Sequence, residues 1–95
     1  MLDKLESIEK RYEELHNLMA DSAITTDPTR LRDITRELSG IEGIVEKFRA
    51  YRKVHDALDK TRVLVKDEPD EEMRAFAKEE VTQLEAEDAR MYSEL

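Results

Sequence analysis

Two histidines and their neighbours are the residues whose spacing first suggests chemistry. Glu13 precedes His16 by three residues, the spacing with which a helix directs a carboxylate and an imidazole into a di-metal site. Such a site needs a second pair, but the other histidine, His55, follows Arg52 at that distance. We therefore interpret the E-x-x-H match as coincidence in a glutamate-rich segment, and His55 as a flank residue that packs its ring beside an apolar stripe.

No other set of residues is typical of an active site. The serines and threonines lack a base with an orienting partner, and there is no cysteine to act as a nucleophile, thiolate ligand or disulfide. The two glycines, Gly40 and Gly43, are three residues apart in a helical pattern and form no phosphate loop. The acidic run 67–72 lacks the glycine and alternating ligands of a calcium loop. We expect no enzyme activity, no cofactor and no small-molecule ligand.

Basic side chains in the middle of the chain suggest contact with RNA or with an acidic protein. Residues 28–66 carry 10 basic and 6 acidic side chains, whereas residues 67–95 carry 3 basic and 11 acidic ones, within a total charge of −8. Two interpretations stay open: the basic segment pairs with acidic neighbours, or part of it meets RNA or an acidic protein. Aromatic residues interleave the densest basic group, where they suit either nucleic-acid stacking or an apolar core. That group is Lys47, Phe48, Arg49, Tyr51, Arg52 and Lys53.

Helices must position these side chains. Two Gly, two Pro and 42% charged residues are typical of long helices, and apolar residues at steps of 3 and 4 predict helices over 2–20, 28–66 and 70–95. Asp27 and Pro28 form a helix-start signal, because the carboxylate can accept hydrogen bonds from first-turn amides and proline needs no partner there.

Three predicted helices and no predicted strand give an all-α fold. Because the connections between the helices are short, consecutive helices should be antiparallel neighbours. The fold would be a three-helix antiparallel coiled-coil-like bundle, a single domain over residues 1–95 built around one long central helix. The flanking helices would overlap near residues 40–46, at Gly40 and Gly43. A glycine inside a helix costs up to about 1 kcal/mol relative to alanine. We therefore expect a close approach of three helices or a slight bend there, rather than a full break.

The apolar stripe of the central helix is predicted to drift around its axis. A heptad that begins at Leu31 reaches the polar residues Arg52 and His55, whereas one through Tyr51 and Leu58 remains apolar. The two halves of the helix should therefore face different neighbours.

The third helix carries on one side Met73, Phe76 or Ala77, Val81, Leu84, Asp88, Met91 and Leu95. Because this pattern continues to the last residue, we expect a fragment of a longer protein.

Ile24 is the apolar residue of the polar connection 21–27, and it either tucks back over the helix ends or faces a partner.

No apolar run approaches the length of a signal or membrane-spanning segment. We expect a cytoplasmic protein that makes no membrane contact.

Short segments distributed along the chain together resemble the N-terminal domain of bacterial class I peptide chain release factors. The similarity is strongest to the type that reads UAA and UAG, and it covers the first 66 residues well and the acidic third helix loosely. The segments are Met1–Glu6, Tyr12–Leu15, Met19–Asp21, Asp27–Pro28, Arg30–Arg32, Arg36–Glu37, Ile44–Val45 and Phe48–Lys53.

The resemblance implies a role in translation termination that belongs to a longer protein. The codon-reading tripeptide and the Gly-Gly-Gln loop that triggers hydrolysis are not in this sequence, where no two glycines are adjacent. The resemblance implies that this domain docks on the ribosome near the stalk base, where ribosomal protein and rRNA meet, and that it faces accessory termination factors. The candidate contacts are Ile24, Arg30, Arg32, Arg36, Arg49, Arg52 and Lys53.

Two alternatives remain. One is a free-standing coiled-coil scaffold or dimerisation module whose apolar seams self-associate, whereas a release-factor domain is expected to be a monomer. The other is a helical RNA-binding arm like that of some tRNA synthetases, which a net charge of −8 disfavours.

Overall fold

A computed structural model describes residues 2–95, and this range contains four helices and no strand. They are α1 (Leu2–Met19), α2 (Ser22–Thr25), α3 (Pro28–Asp67) and α4 (Glu71–Ser93). The all-α prediction is confirmed. The structure adds one short helix, α2, in the connection that was predicted to be irregular. No helix in the described range is long and apolar enough to cross a membrane.

The chain divides into two compact units, one that ends at Glu46 and one that comprises Lys47–Leu95. The boundary falls inside α3, which is helical on both sides of it. The first unit therefore contains α1, α2 and the beginning of α3, and the second contains the remainder of α3 and α4.

The central cluster of the first unit combines one buried residue from each of its three helices, and Leu5 and Val45 of the same unit are buried as well. Leu15 of α1, Ile24 of α2 and Ile34 of α3 are buried against one another. The half-buried side chains that surround them are Leu18, Met19, Leu38 and Ile41. A core of this kind stabilises the fold mainly by removing apolar surface from water.

The core of the second unit mixes aliphatic, aromatic and small residues. Phe48, Tyr51 and Leu58 of α3 are buried, and so is Thr61, whose hydroxyl donates to the carbonyl of Ala57 at 2.8 Å. This bond satisfies the hydroxyl of the buried Thr61 side chain.

The buried stripe of α4 follows the predicted heptad over most of its length but differs near its start. Ala77 is buried, and Val81, Leu84, Asp88, Met91 and Leu95 are half-buried. Met73 and Phe76, by contrast, are exposed. The expectation that Met73 faces the core is therefore wrong, and Ala77 rather than Phe76 occupies the core position.

The buried stripe of α3 changes its heptad phase near residue 50. In the first unit, buried or half-buried residues occur at positions 31, 34, 38, 41 and 45, and in the second at 48, 51, 54, 58, 61 and 65. Steps of 3 and 4 alternate, except for successive steps of three that join 45, 48, 51 and 54. A step of three thus replaces one step of four, which shifts the seam around the helix, so the predicted drift of the stripe is confirmed.

The two glycines of α3 do not mark a close approach of helices. A β-carbon added to Gly40 or Gly43 would meet no other atom within 4 Å, and both positions are exposed. The expected three-helix contact is therefore wrong. A full break is also excluded, because α3 continues through both residues.

Candidate docking surface

The short helix α2 determines where Ile24 lies. The carboxylate of Asp21 accepts a hydrogen bond from the amide of Ala23 at 2.9 Å, and the hydroxyl of Thr26 donates to the carbonyl of Ser22 at 2.7 Å. These local bonds close a single helical turn and direct Ile24 into the core, where it is 2% exposed. Ile24 therefore tucks back over the helix ends, and its interpretation as a partner contact is wrong.

The start of α3 sets the direction of three candidate arginines. The carboxylate of Asp27 accepts from the amides of Thr29 and Arg30 at 3.1 and 3.3 Å, which confirms the predicted start signal. With 3.6 residues per turn, Arg32 and Arg36 lie within about 40° of each other around the helix, whereas Arg30 lies about 160° from Arg32. Only Arg32 and Arg36 share a face.

Arg32 and Arg36 lie beside an open depression, which we call the Arg32/Arg36 face. Both arginines are exposed, and neither forms an ion pair within residues 2–95. Half-buried Leu31 adds apolar surface, and the hydroxyl of Thr35 donates to the Leu31 carbonyl at 2.8 Å. The face consists of Pro28, Leu31, Arg32, Thr35, Arg36 and Ser39. Two uncompensated guanidinium groups beside a small apolar surface suit a phosphate or carboxylate partner.

Arg11 is a contrasting arginine in the same unit. Its Nε and Nη2 atoms lie 2.7 and 2.9 Å from the two carboxylate oxygens of Glu37, and Glu14 lies 3.4 Å from Nη1. The hydrogen bonds to Glu37 raise the pKa of Arg11 above its ordinary value and lower the pKa of Glu37. Here the basic residue is on α1 and the acidic residue on α3, the opposite of the predicted pairing of a basic α3 with acidic neighbours.

In the second unit, a basic side chain of α3 pairs with an acidic side chain of α4, as the charge pattern of the sequence predicts. Arg62 of α3 lies 3.8 Å from Glu85 of α4, and also 3.8 Å from Asp59 on its own helix. All three side chains are about half exposed, so this pairing is a weak, solvent-screened interaction. Part of the basic character of α3 is thus compensated within the domain.

The second candidate basic group, unlike the Arg32/Arg36 face, already has interactions with other residues of the chain. The guanidinium carbon of Arg52 lies 4.5 Å from the centre of the Phe48 ring, and both Arg49 and Arg52 interact with other residues of the chain. Lys53 is exposed. Because Phe48 and Tyr51 are buried, the aromatic residues belong to the core and do not form a stacking surface for bases.

Sequence reasoning did not find the polar cluster that joins α3 to α4. His55 Nδ1 lies 2.7 Å from Asp88 Oδ2, and its Nε2 lies 3.7 Å from Asp59. The ring stacks on Tyr51 with centroids 5.6 Å apart, as expected for a residue beside the seam. The hydrogen bond to Asp88 is the main cause of a raised His55 pKa. An acidic residue at a core position of α4 was the sequence signal that could have identified this contact.

The other histidine is placed differently. His16 packs the edge of its ring against Tyr12, with centroids 4.5 Å apart, and it is exposed. Within the described range, no group of three or more histidine, aspartate or glutamate side chains is arranged to hold a metal ion.

Comparison with known proteins gives a consistent result. The family model for the PCRF domain matches residues 8–95. Proteins called peptide chain release factor 1 from Listeria welshimeri and Listeria innocua are 43% identical to the whole chain, and the one from Bacillus cereus is 40% identical. The chain spans about a quarter of these relatives, 26% of the Listeria proteins and 27% of the Bacillus protein. No solved structure matches. The resemblance found in the sequence is thereby confirmed, and the chain belongs to the PCRF-domain family.

Proposed function

We propose that this chain is the N-terminal helical domain of a peptide chain release factor that directs translation termination at UAA and UAG codons in the cytoplasm. The observation that carries this proposal is the similarity of the entire chain to relatives called peptide chain release factor 1. The Gly-Gly-Gln loop and the codon-reading tripeptide are not among its residues. We therefore assign this domain a binding role and place codon recognition and the triggering of hydrolysis elsewhere in such a factor.

The binding role that the geometry supports best is docking on the ribosome through the Arg32/Arg36 face. Guanidinium groups bind phosphate and carboxylate oxygens in a bidentate manner, so this face suits rRNA as well as acidic ribosomal protein segments. Arg30, on another side of α3, and the group formed by Arg49, Arg52 and Lys53 are secondary candidates. The proposed partners are the protein and rRNA of the stalk base, together with accessory termination factors.

Ribosome binding as a function of salt tests this role. We expect the chain to co-sediment with ribosomes at low salt and to dissociate as the salt concentration rises, because phosphate contacts release counterions. The double variant R32A/R36A should bind roughly tenfold more weakly, as expected for the loss of two charge-assisted contacts. The matched control K60A/K66A removes the same charge from exposed positions of the second unit and should bind within about twofold of the parent chain.

Salt-independent binding would contradict the docking role, and so would equal losses of ribosome affinity in the two double variants.

The scaffold alternative is tested by sedimentation of the free chain. We propose that the chain is a monomer at tens of micromolar, whereas a dimerisation module would show a concentration-dependent dimer.

A further inference from the structure

Two large apolar side chains on α4 are exposed although they are one helical turn apart and could have faced the core. Phe76 is 67% exposed and Met73 is 57% exposed. Phe76 borders an open depression together with Glu79, Glu80 and Gln83, the residues three, four and seven positions further along the helix. We call the surface formed by Met73 and these four residues the Phe76 face.

Packing inside the second unit does not require this arrangement. The core position of this turn is filled by Ala77, which is buried. Arg74 closes the turn before α4, since its Nη1 lies 3.5 Å from the carbonyl oxygen of Glu68. A polar side chain at position 76 would leave both contacts intact. The Phe76 side chain therefore lies mostly outside the core of its unit.

The charge around Phe76 restricts what can cover it. Glu79 and Glu80 flank the ring, and neither forms an ion pair within the part of the chain that the structure describes. Residues 67–95 carry 11 acidic and 3 basic side chains. Such a surface repels the phosphates of RNA and of anionic lipids, and it attracts basic protein segments.

We propose that the Phe76 face binds an amphipathic helical segment of a basic partner protein. Apolar side chains of that segment cover Phe76 and Met73, while lysine or arginine side chains at its border pair with Glu79 and Glu80. This interaction lies in the second unit and opposes the charge preference of the Arg32/Arg36 face in the first. It is therefore independent of the proposed ribosome docking.

The test uses two synthetic helical peptides, one with leucine on one face and lysine on the other, and one in which glutamate replaces every lysine. Each is titrated into the isotopically labelled 95-residue chain and followed by NMR. We expect saturable shifts of residues 73–83 with the lysine peptide, and at least tenfold weaker binding of the glutamate peptide. F76A and E79Q/E80Q should each weaken binding of the lysine peptide about fivefold or more.

Matched variants in the first unit provide the controls. I44A removes an apolar side chain that is 42% exposed, and E42Q/E46Q removes two exposed carboxylates. Both should bind the lysine peptide within about twofold of the parent chain. Equal binding of the two peptides, equal effects of test and control variants, or shifts outside α4 would each overturn the proposal. It is also overturned if the free chain self-associates and F76A abolishes this association, since a second copy would then be the occupant.

Discussion

In the first unit, α1, α2 and α3 each supply one apolar side chain to a shared buried cluster, formed by Leu15, Ile24 and Ile34. The second unit consists of the remainder of α3 and of α4, which are joined by the ring contact between Tyr51 and Tyr92 and by a hydrogen bond between His55 and Asp88. Apolar contacts are insensitive to protonation, whereas a histidine changes its charge near neutral pH. The two units should therefore respond differently to pH and to the loss of single side chains.

The largest effect is expected from Leu15→Ala, which creates a cavity in the apolar core of the first unit. Leu15 is fully buried, and truncation of such a leucine lowers the free energy of unfolding by about 2–5 kcal/mol. The loss should be the same between about pH 5.5 and 8.5, since no titrating group lies in this cluster. Urea denaturation followed by circular dichroism measures it. The control Leu64→Ala, at an exposed position, should cost less than about 0.5 kcal/mol. A strongly pH-dependent loss at Leu15 would contradict the contrast between the units.

An intermediate effect is expected from the His55–Asp88 contact. Because the folded-state pKa of His55 is raised above 6.5, its contribution to stability is complete below that value and is lost as the pH rises through the folded-state pKa. Asp88→Ala should lower the free energy of unfolding by about 1 kcal/mol at pH 6, a reduced value because the His55 side chain is 44% exposed, and by less at pH 8.5.

Variants at neighbouring carboxylate and histidine positions serve as controls for this contact. Asp59→Ala should have a smaller effect than Asp88→Ala, because its carboxylate lies 3.7 Å from the ring and is more exposed. His55→Gln should remove the pH-dependent component of the Asp88→Ala loss, because no ionisable ring then faces the Asp88 carboxylate. If Asp88→Ala cost as much at pH 8.5 as at pH 6, the contact would not depend on the charge of His55.

The smallest effects are expected from the exposed ion pairs, which differ in geometry between the units. Arg11 contacts Glu37 through two short hydrogen bonds, whereas Arg62 approaches Glu85 at 3.8 Å. Arg11→Gln should therefore lower the melting temperature slightly more than Arg62→Gln. Calorimetry in low salt and in about 1 M NaCl measures both, and the difference should vanish at high salt. A larger loss from Arg62→Gln would reverse the expected ranking.

The sequence predicted the features of the fold that depend on local signals or on repeated spacing. Asp27 begins α3 as expected, and Asp70 caps α4, where its carboxylate accepts from the amide of Glu72 at 3.1 Å. The change of heptad phase along α3 was also predictable, because a single phase would have placed Arg52 and His55 in the core.

Features that depend on only a few residues were not predictable from the sequence. Helix α2 has four residues, too few to show a period, and its stability comes from side-chain bonds to the backbone. At the start of α4, Phe76 and Ala77 fit the helical period equally well. Only the structure decides between them, and the alanine side chain is the buried one.

The candidate site was only partly predictable, because local spacing can be read from the sequence whereas contacts between distant residues cannot. Basic composition identified Arg30, Arg32 and Arg36, and the helical period places only Arg32 and Arg36 on a common face. The sequence could not show that this face borders an open depression. Sequence also could not show that Arg11 already has a partner in Glu37, because that contact joins positions 26 residues apart.

The boundary between the two units lies within α3, where each backbone N–H donates to the carbonyl oxygen four residues earlier. If either unit opens, it exposes apolar side chains on a helix whose remaining turns are still packed in the other unit. A helix that is already nucleated extends readily, so the opened half of α3 would stay helical and quickly find its neighbours again. Amide hydrogen exchange should therefore be slowest in α3 on both sides of residue 46, and fastest near the ends of α1 and α4.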